Sequence, residues 1–272
     1  MLTSSVNNII EESVACFAPI SLAEMGSVKL MNRIDTKYVV PKILLPAILH
    51  AAIGDYFVQE IDSKRVASYD TMYYDTATLD MYLRHHNRQL VRQKIRVRNY
   101  VDTQQTFLEV KRKNNKGRTK KKRVEVPGFD IQSDSLGISK KGTWTVEQFI
   151  AQKSNYRWAE LIPHLRTKFR RITLVNKVMT ERLTIDFDLA WENVITNKNS
   201  SYDRLAIIEL KQDGHLHSLM TNIMLNMRIH PMKISKYCIG TVLTSPGLKH
   251  NRFKTKLCRI NKLLERDNNH KN

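Results

Sequence analysis

The feature that most constrains the fold is a stretch of alternating charge between Gln89 and Val126. In its first part every second residue is a cation, and these cations are Arg92, Lys94, Arg96 and Arg98. Successive side chains of a β-strand point to opposite faces of a sheet, so the four cations are expected to line one surface. The sequence therefore predicts a strand that is basic on one face.

Two further alternating runs follow, and residues that favour turns separate them. The turn-forming segments are Asp102-Thr103-Gln104 and Asn114-Asn115-Lys116-Gly117. In the second run Phe107, Glu109, Lys111 and Lys113 occupy alternate positions, a relation termed parity below, and would share one face of the strand. The third run, Arg118 to Val126, is again basic. The three runs together predict a basic antiparallel meander.

A face with so many like charges is unfavourable unless something negative binds to it, because directly opposed like charges destabilise a sheet. A polyanion that carries several phosphates would relieve this repulsion. The alternative is a solvated outer face that only keeps the protein soluble. Solvated faces usually mix both signs of charge, so the pattern favours the polyanion.

The overall charge also indicates an acidic partner. The 272 residues carry a formal net charge of +19, and 42% of them are hydrophobic, which is enough for a sizeable core. Nucleic acid, an anionic membrane surface and a polyphosphorylated small molecule all fit that charge. The three cysteines suit neither a disulfide framework nor a metal site, and no apolar segment approaches the length of a membrane span. A soluble, cytoplasmic protein is therefore expected.

Hydrophobic periodicity divides the chain into three segments. Residues 1–31 are predicted to be helical with a break at Pro19, residues 32–245 form the main domain, and residues 246–272 are a basic tail that is expected to fray. The main domain has about eight predicted strands with helices between them, and the last strand is expected to begin at Met232. One α+β domain on a single antiparallel sheet accounts best for this order. If the sheet closes into a barrel, its basic faces line a cationic tunnel.

Two short motifs place a carboxylate among these cations. Leu108-Glu109-Val110-Lys111 and Ile208-Glu209-Leu210-Lys211 each put the glutamate and the lysine on the same face of a strand. Such a carboxylate could hold Mg²⁺ or Mn²⁺ together with phosphate oxygens, or it could form a salt bridge within the sheet. For Glu109 both alternatives stay open, whereas the metal is favoured for Glu209.

A predicted hairpin, Lys168 to Lys177 followed by Glu181 to Trp191, adds further candidates. Arg182 and Asp186 share a parity, and only one of the adjacent Arg170 and Arg171 can face the same way. Guanidinium groups bind phosphate oxygens in pairs, which suits the orientation of a phosphate chain. The sequence has no GxxxxGK[ST] loop, no Gly-x-Ser-x-Gly elbow and no Cys/His nucleophile motif, so any chemistry would depend on cations and a metal.

Several of these motifs occur together in a recognisable order. They are Arg33-Ile34-Asp35-Thr36-Lys37-Tyr38, Tyr73-Tyr74-Asp75-Thr76, Lys94-Ile95-Arg96-Val97-Arg98, Leu108-Glu109-Val110-Lys111, Arg170-Arg171, Ile208-Glu209-Leu210-Lys211 and Ser235-Lys236-Tyr237. In this combination the chain resembles the VTC domain, the polyphosphate polymerase domain of the vacuolar transporter chaperone complex. That domain is part of the triphosphate tunnel metalloenzyme superfamily. The resemblance covers roughly residues 25 to 245.

The resemblance implies a fold, an activity and a set of site residues. The fold would be a closed antiparallel tunnel barrel of eight strands with inserted and flanking helices. The activity would move the terminal phosphoryl group of a nucleoside triphosphate onto polyphosphate or pyrophosphate, with Mn²⁺ or Mg²⁺ as cofactor. By resemblance, the catalytic cations are Lys37, Arg96, Arg98, Lys111, Arg171, Arg182 and Lys236. Substrate contacts are implied for Arg33, Lys94, Glu109 and Ser235, and metal coordination for Glu209 and Asp186.

The chain departs from the wider superfamily in its first strand. Tunnel triphosphatases have an alternating E-x-E-x-K signature there, whereas this chain has Arg33-x-Asp35-x-Lys37, as VTC-like members do. The exchange removes metal-binding carboxylates and suits a longer anion. The sequence lacks the transmembrane segments of the eukaryotic proteins, so coupling to export would require a membrane-protein partner.

Three other functions fit parts of the pattern. Hydrolysis of inorganic or nucleoside triphosphate needs the same cations and metal, and a non-catalytic polyphosphate receptor needs only the cations. The charge also allows a nucleic-acid-binding domain, but the basic faces carry few aromatic side chains on which bases could stack. Nucleic acid is therefore not expected as a partner.

Overall fold

The computed structural model describes residues 2–26, 33–127, 145–214 and 216–269. Its strands are β1 (Ala18–Ile20), β2 (Arg33–Pro41), β3 (Tyr56–Gln59), β4 (Val66–Asp75), β5 (Arg92–Tyr100), β6 (Gln105–Lys113), β7 (Thr119–Glu125), β8 (Ile162–Asn176), β9 (Glu181–Asn193) and β10 (Lys198–Asp213). Its helices are α1 (Leu2–Ala15), α2 (Leu22–Met25), α3 (Leu45–Ala52), α4 (Asp80–His86), α5 (Val146–Lys153), α6 (Leu219–Asn226), α7 (Lys236–Thr244) and α8 (Lys254–Asn269).

Eight strands form one continuous antiparallel path in the order β2-β10-β9-β8-β4-β5-β6-β7. Outside this path, β3 pairs with β8 and β1 pairs in parallel with β3. The prediction of an α+β fold on an antiparallel sheet is confirmed. Within the described ranges no backbone pairing joins the end strands β2 and β7, so hydrogen bonds do not close the sheet into the expected barrel.

The basic meander forms as the alternating charges predict. Strands β5, β6 and β7 pair in sequence, with Arg96 opposite Glu109 and Glu109 opposite Arg123. Because the register is continuous, Lys94 and Arg98 lie on the same face as these residues. This side of the whole sheet is termed the inner face, and the opposite side is termed the outer face.

The outer face is apolar and helices cover it. Helices α1, α3 and α6 pack on the half formed by β2, β10, β9 and β8, and α5 packs on the half formed by β4, β5 and β6. The buried strand residues include Tyr38, Ile172, Leu183, Ile185, Ile208, Ile95, Val97, Leu108 and Val110. Burial of this face fixes the register, since a shift by one residue would turn every apolar side chain to the inner face.

Helices α7 and α8 cover part of the inner face. Tyr73, Leu165 and Trp191 of the sheet are buried in one cluster with Tyr237 of α7 and Ile260 of α8. The remainder of the inner face is polar. The part of the chain that the structure describes contains no helix with the length and apolarity needed to cross a membrane.

Two expectations near the C-terminus were wrong. Residues 232–235 do not form a strand, because Met232 donates a single backbone hydrogen bond to Lys37 and Ser235 already caps α7. Between residues 249 and 269 the tail does not fray, because α8 places Leu257 and Ile260 in the cluster that also contains Tyr237 of α7. In the N-terminal segment the first helix ends before Pro19, but Pro19 lies in β1, and residues 27–32 are outside the described ranges.

Candidate functional site

The inner face gathers the predicted site residues from six strands. Arg33 and Lys37 lie on β2, Glu209 on β10, Arg182 and Asp186 on β9, Arg171 on β8, Lys94, Arg96 and Arg98 on β5, and Glu109 and Lys111 on β6. Ser235 and Lys236 come from the start of α7, which lies over the same face. The expected residues are therefore brought together, while their roles stay predictions.

The sheet curls so that distant strands face one another across the inner face. Lys111 of β6 interacts electrostatically with Glu209 and Lys37, although β10 and β2 lie at the other end of the strand order. The Nζ atom of Lys94 donates a hydrogen bond of 2.7 Å to Ser235 Oγ at the start of α7. An anion on this face would thus meet cations from opposite walls.

The buried carboxylate of Asp186 fixes two half-buried cations. Its oxygens accept hydrogen bonds from Arg171 Nε at 2.5 Å and Nη2 at 2.8 Å, and it also forms an ion pair with Lys236. Burial alone would raise the pKa of Asp186, but Arg171 and Lys236 hold it well below its ordinary value. Asp186 is therefore a fixed anion whose two oxygens are occupied by cations of the protein.

Glu109 is also engaged by neighbouring cations. Its side chain is buried and pairs with Arg96 Nη2 at 2.6 Å and with Lys121 of β7. Burial would raise the pKa of this carboxyl, but Arg96, Arg98 and Lys121 lower it. Of the two alternatives for Glu109, the geometry corresponds to the salt bridge.

Glu209 has looser contacts than the other two carboxylates. The Nζ atoms of Lys37 and Lys211 lie 3.6 and 3.2 Å from its oxygens. Mg²⁺ and Mn²⁺ are commonly held by one or two carboxylates together with substrate phosphate oxygens. The described residues contain no cluster of three or more acidic, histidine or cysteine ligands. Glu209 therefore fits a metal that is shared with a bound phosphate chain, rather than one held by the protein alone.

Arg98 is buried without a carboxylate partner. Only 5% of its surface is exposed, and its Nε atom donates a hydrogen bond of 3.2 Å to Thr71 Oγ1. Among the described residues no carboxylate forms an ion pair with it. Burial and the nearby Arg96 lower its pKa, whereas the negative charge of Glu109, which forms no ion pair with it, opposes that shift. Since buried charges are normally paired, this guanidinium indicates a site for an anion.

An aromatic floor supports three of the cations, and the sequence did not predict it. Tyr69 and Phe169 stack with their ring centroids 5.0 Å apart. Arg98 lies 5.1 Å and Arg171 4.8 Å from the centroid of Tyr69, and Lys236 lies 4.4 Å from that of Phe169. These rings help to hold the three cations in place by cation–π contacts. Strand parity could have located both rings.

Tyr73 is a further inner-face residue, which was assigned no role from the sequence although it lies in one of the matched motifs. Its hydroxyl accepts a hydrogen bond of 3.1 Å from Arg96 Nη1, and its ring stacks on that of Tyr237 at 5.1 Å. Burial alone would raise the pKa of the phenol, but Arg96, Arg98 and nearby lysines lower it to about 8. Burial also lowers the pKa of Lys236 to about 8, although Asp186 opposes that shift. Both groups therefore titrate close to neutral pH.

Further cations were missed although parity places them on the inner face. Lys121 and Arg123 of β7 lie opposite Lys111 and Glu109, and Lys211 of β10 lies opposite Arg182. Each belongs to a run whose alternation was recognised, so the signal was present in the sequence. With these residues the inner face is more cationic than the expected set alone.

Comparison with known proteins gives one family and several distant structures. The sequence model of the VTC domain matches residues 32–244. No curated protein matches at a significant level. A candidate adenylate cyclase from Vibrio parahaemolyticus is 10% identical with a TM-score of 0.45, over 78% of this chain and 99% of that one. A candidate adenylyl cyclase from Hippeastrum, described as having a dominant triphosphatase activity, is 15% identical with a TM-score of 0.46, over 81% and 100%.

Proposed function

This chain belongs to the VTC domain family, and from that premise we propose that it is a polyphosphate polymerase-like phosphotransferase. It moves the terminal phosphoryl group of a nucleoside triphosphate onto polyphosphate or pyrophosphate. The observation that carries the proposal is the buried guanidinium of Arg98, which forms no direct ion pair among the described residues and lies among cations from opposite walls. Glu109 offsets part of its charge from a distance, and a bound phosphate chain supplies a counter-charge in direct contact. In this proposal the curled inner face acts as a tunnel.

The cations hold the donor triphosphate in an extended form. Arg96, Arg98 and Arg171 bind non-bridging oxygens, because each guanidinium offers paired donors in a fixed plane. Lys236 and Lys94 contact the chain from the α7 end, where Ser235 Oγ positions Lys94. Arg33, Lys37, Arg182 and Lys111 complete the walls.

The chemistry needs positioning more than a nucleophilic side chain. A terminal oxygen of the acceptor attacks the γ-phosphorus, the bond to the β-phosphate oxygen breaks, and the nucleoside diphosphate leaves. The loose transition state spreads charge over the equatorial oxygens, where fixed cations stabilise it. Glu209 would hold a divalent metal, Mn²⁺ or Mg²⁺, together with substrate oxygens, and such an ion neutralises phosphate charge when bound. In this proposal Asp186, which the resemblance implies as a second metal ligand, instead holds Arg171 and Lys236 in place through its ion pairs with them.

The proposal is tested by product analysis. The purified protein is incubated with ATP and Mn²⁺ or Mg²⁺, with and without pyrophosphate, and polyphosphate and ADP are followed over time. Chains that lengthen as ADP appears are expected. Free phosphate without chains would make the protein a triphosphatase, and tight tripolyphosphate binding without turnover would make it a receptor.

Two substitutions connect the activity to the inner face. Arg98→Ala and Lys236→Ala are expected to abolish chain synthesis while circular dichroism shows a folded protein. Lys177→Ala removes an exposed cation at the end of β8 and serves as the control that keeps its activity. Full turnover in both inner-face variants would contradict the proposal. A cytoplasmic location, the absence of nucleic-acid binding and a membrane-protein partner for export remain predictions.

A further inference from the structure

Strand β7 is basic on both of its faces. Residues 119–125 read Thr-Lys-Lys-Lys-Arg-Val-Glu. Lys121 and Arg123 lie on the inner face with the site described above. Lys120 and Lys122 have the opposite parity and therefore lie on the outer face. One strand thus carries positive charge on both sides of the sheet.

The cations on the outer side of β7 are exposed and joined by a third. Arg112 of β6 lies directly opposite Lys120, and Lys122 follows two residues later. All three side chains are exposed. Helix α5 covers the neighbouring part of the outer face, where Leu108 and Val110 are buried, and Val110 lies directly opposite Lys122. Among the described residues none of the three cations forms an ion pair.

The position of β7 connects these two charged surfaces. It is the last strand of the path, and within the described ranges no strand pairs with its free side. The inner and outer faces therefore meet along this edge, separated by the width of one strand. A flexible anion that leaves the inner face at Lys121 meets Lys120 and Lys122 directly beyond the edge.

Protection of a free edge explains only part of this pattern. Lysines on an edge strand prevent pairing with another sheet, which accounts for charge on β7. It does not account for Arg112, which lies on an interior strand. Placing Arg112 opposite Lys120 is itself unfavourable, because directly opposed like charges destabilise a sheet. An anion bound across the pair would remove that cost.

We propose that Arg112, Lys120 and Lys122 form a second polyphosphate-binding surface, termed the edge site, which binds the part of a long chain that extends beyond the inner face. The inference rests on the proposed function, in which the chain occupies the inner face. Its ligand is a linear polyphosphate, because only an unbranched, flexible anion can follow both faces of one edge strand. A triphosphate is held by the inner face and does not reach the edge site.

The test compares two ligands and two variants. The variant R112Q/K120Q/K122Q is expected to bind long-chain polyphosphate about tenfold more weakly, as the loss of three exposed charge contacts implies. Its affinity for tripolyphosphate is expected to match that of the wild type. The control K168Q/K177Q/K198Q removes the same charge from exposed residues elsewhere and is expected to change neither affinity. Binding is measured by calorimetry without nucleotide.

Each contrary outcome has a distinct meaning. Equal weakening in both triple variants would overturn the edge site, because net charge alone would then explain the effect. If R112Q/K120Q/K122Q binds the long chain as tightly as the wild type but self-associates in sedimentation, the three cations only protect the free edge, and the edge site is contradicted. Failure of the protein to synthesise polyphosphate would contradict the proposed function, but the binding test could still be interpreted because it does not depend on turnover. If both proposals hold, the edge variant releases shorter chains than the wild type.

Discussion

At the scale of single residues, buried carboxylates decide how the inner-face cations are held. Asp186 holds Arg171 and Lys236, and Glu109 holds Arg96 and Lys121. Removing one partner of a buried ion pair leaves the other charge without compensation, which is strongly destabilising. These carboxylates therefore contribute to stability and to the geometry of the site together.

We predict that Asp186→Asn lowers the free energy of unfolding by about 3 kcal/mol, because two half-buried cations lose the buried carboxylate that compensates them. Tripolyphosphate should recover more stability in this variant than in the wild type, since it neutralises the same cations. Urea unfolding with and without tripolyphosphate measures both effects. Asp203→Asn, which removes an exposed carboxylate, is the control. Equal unfolding midpoints for Asp186→Asn and the wild type would contradict the structural role.

Tyr73 gives a prediction of pH dependence. Its phenol, with a pKa of about 8, becomes an anion as the pH rises through that value, which disfavours a bound phosphate chain. The Tyr73→Phe variant has no phenol to ionise. At pH 9 the wild type should therefore bind tripolyphosphate more weakly than this variant, by up to about tenfold. The ratio of the two dissociation constants for tripolyphosphate between pH 6 and pH 9 measures the effect. Titration of the ligand cancels in this ratio, and a constant ratio would show that the phenol does not ionise at the site.

At the scale of elements, α7 connects the core to the site. Its first residue is Lys236, and Ser235 caps it by accepting a hydrogen bond from the Cys238 N–H. Its packing on the sheet is tight, since a Cβ at Gly240 would lie 2.2 Å from Trp191 Cδ1. The position of Lys236 therefore depends on a contact that involves no charge.

We predict that Gly240→Ala destabilises the protein by about 1–3 kcal/mol, the usual cost of overpacking. It should also reduce turnover, because α7 must move away from Trp191 and carry Lys236 with it. Gly54→Ala is the matched control, since a Cβ there meets no atom within 4 Å. Thermal unfolding and initial rates are compared for the two variants. If the Gly240→Ala protein is destabilised but keeps the wild-type rate, the packing of α7 does not affect turnover and the prediction is contradicted.

The elements also show what the sequence could and could not predict. The meander was predictable because its alternation is encoded locally, and parity then assigned Arg96, Arg98 and Lys111 to one face. The helix α8 was not, because its polar composition hides an apolar stripe whose burial depends on a cluster assembled from distant strands. Strand parity places Tyr69 and Phe169 on the inner face, but their stacking was not predictable, since the two rings meet only when β4 pairs with β8. Local pattern thus predicted strand faces, whereas contacts between strands needed the tertiary structure.

At the scale of the whole molecule, the concentration of positive charge affects stability. The chain has a formal net charge of +19, and many of its cations face one another across the inner face. Self-repulsion of this kind destabilises a compact state until counter-ions or a ligand neutralise it. The free protein is therefore expected to be much less stable than its complex with a phosphate chain.

We predict that tripolyphosphate at about 100 times its dissociation constant raises the free energy of unfolding by about 2.7 kcal/mol, as mass action requires for a ligand that binds only the folded state. Sodium chloride at the same ionic strength should stabilise the protein less, because it screens charge without bridging the two walls. Differential scanning fluorimetry across both titrations measures the difference. Identical shifts for the two salts would indicate general screening rather than a site.

The division of each strand between an apolar outer face and a cationic inner face also limits how this protein can diverge. Inserting or deleting one residue in β5 would send Ile95 and Val97 to the inner face and bury Arg96 and Arg98 beneath helices. Both the core and the proposed phosphate site would be lost in a single step. Related chains should therefore differ in length at their turns, or by even numbers of residues within strands, while point substitutions on one face leave the other unaffected.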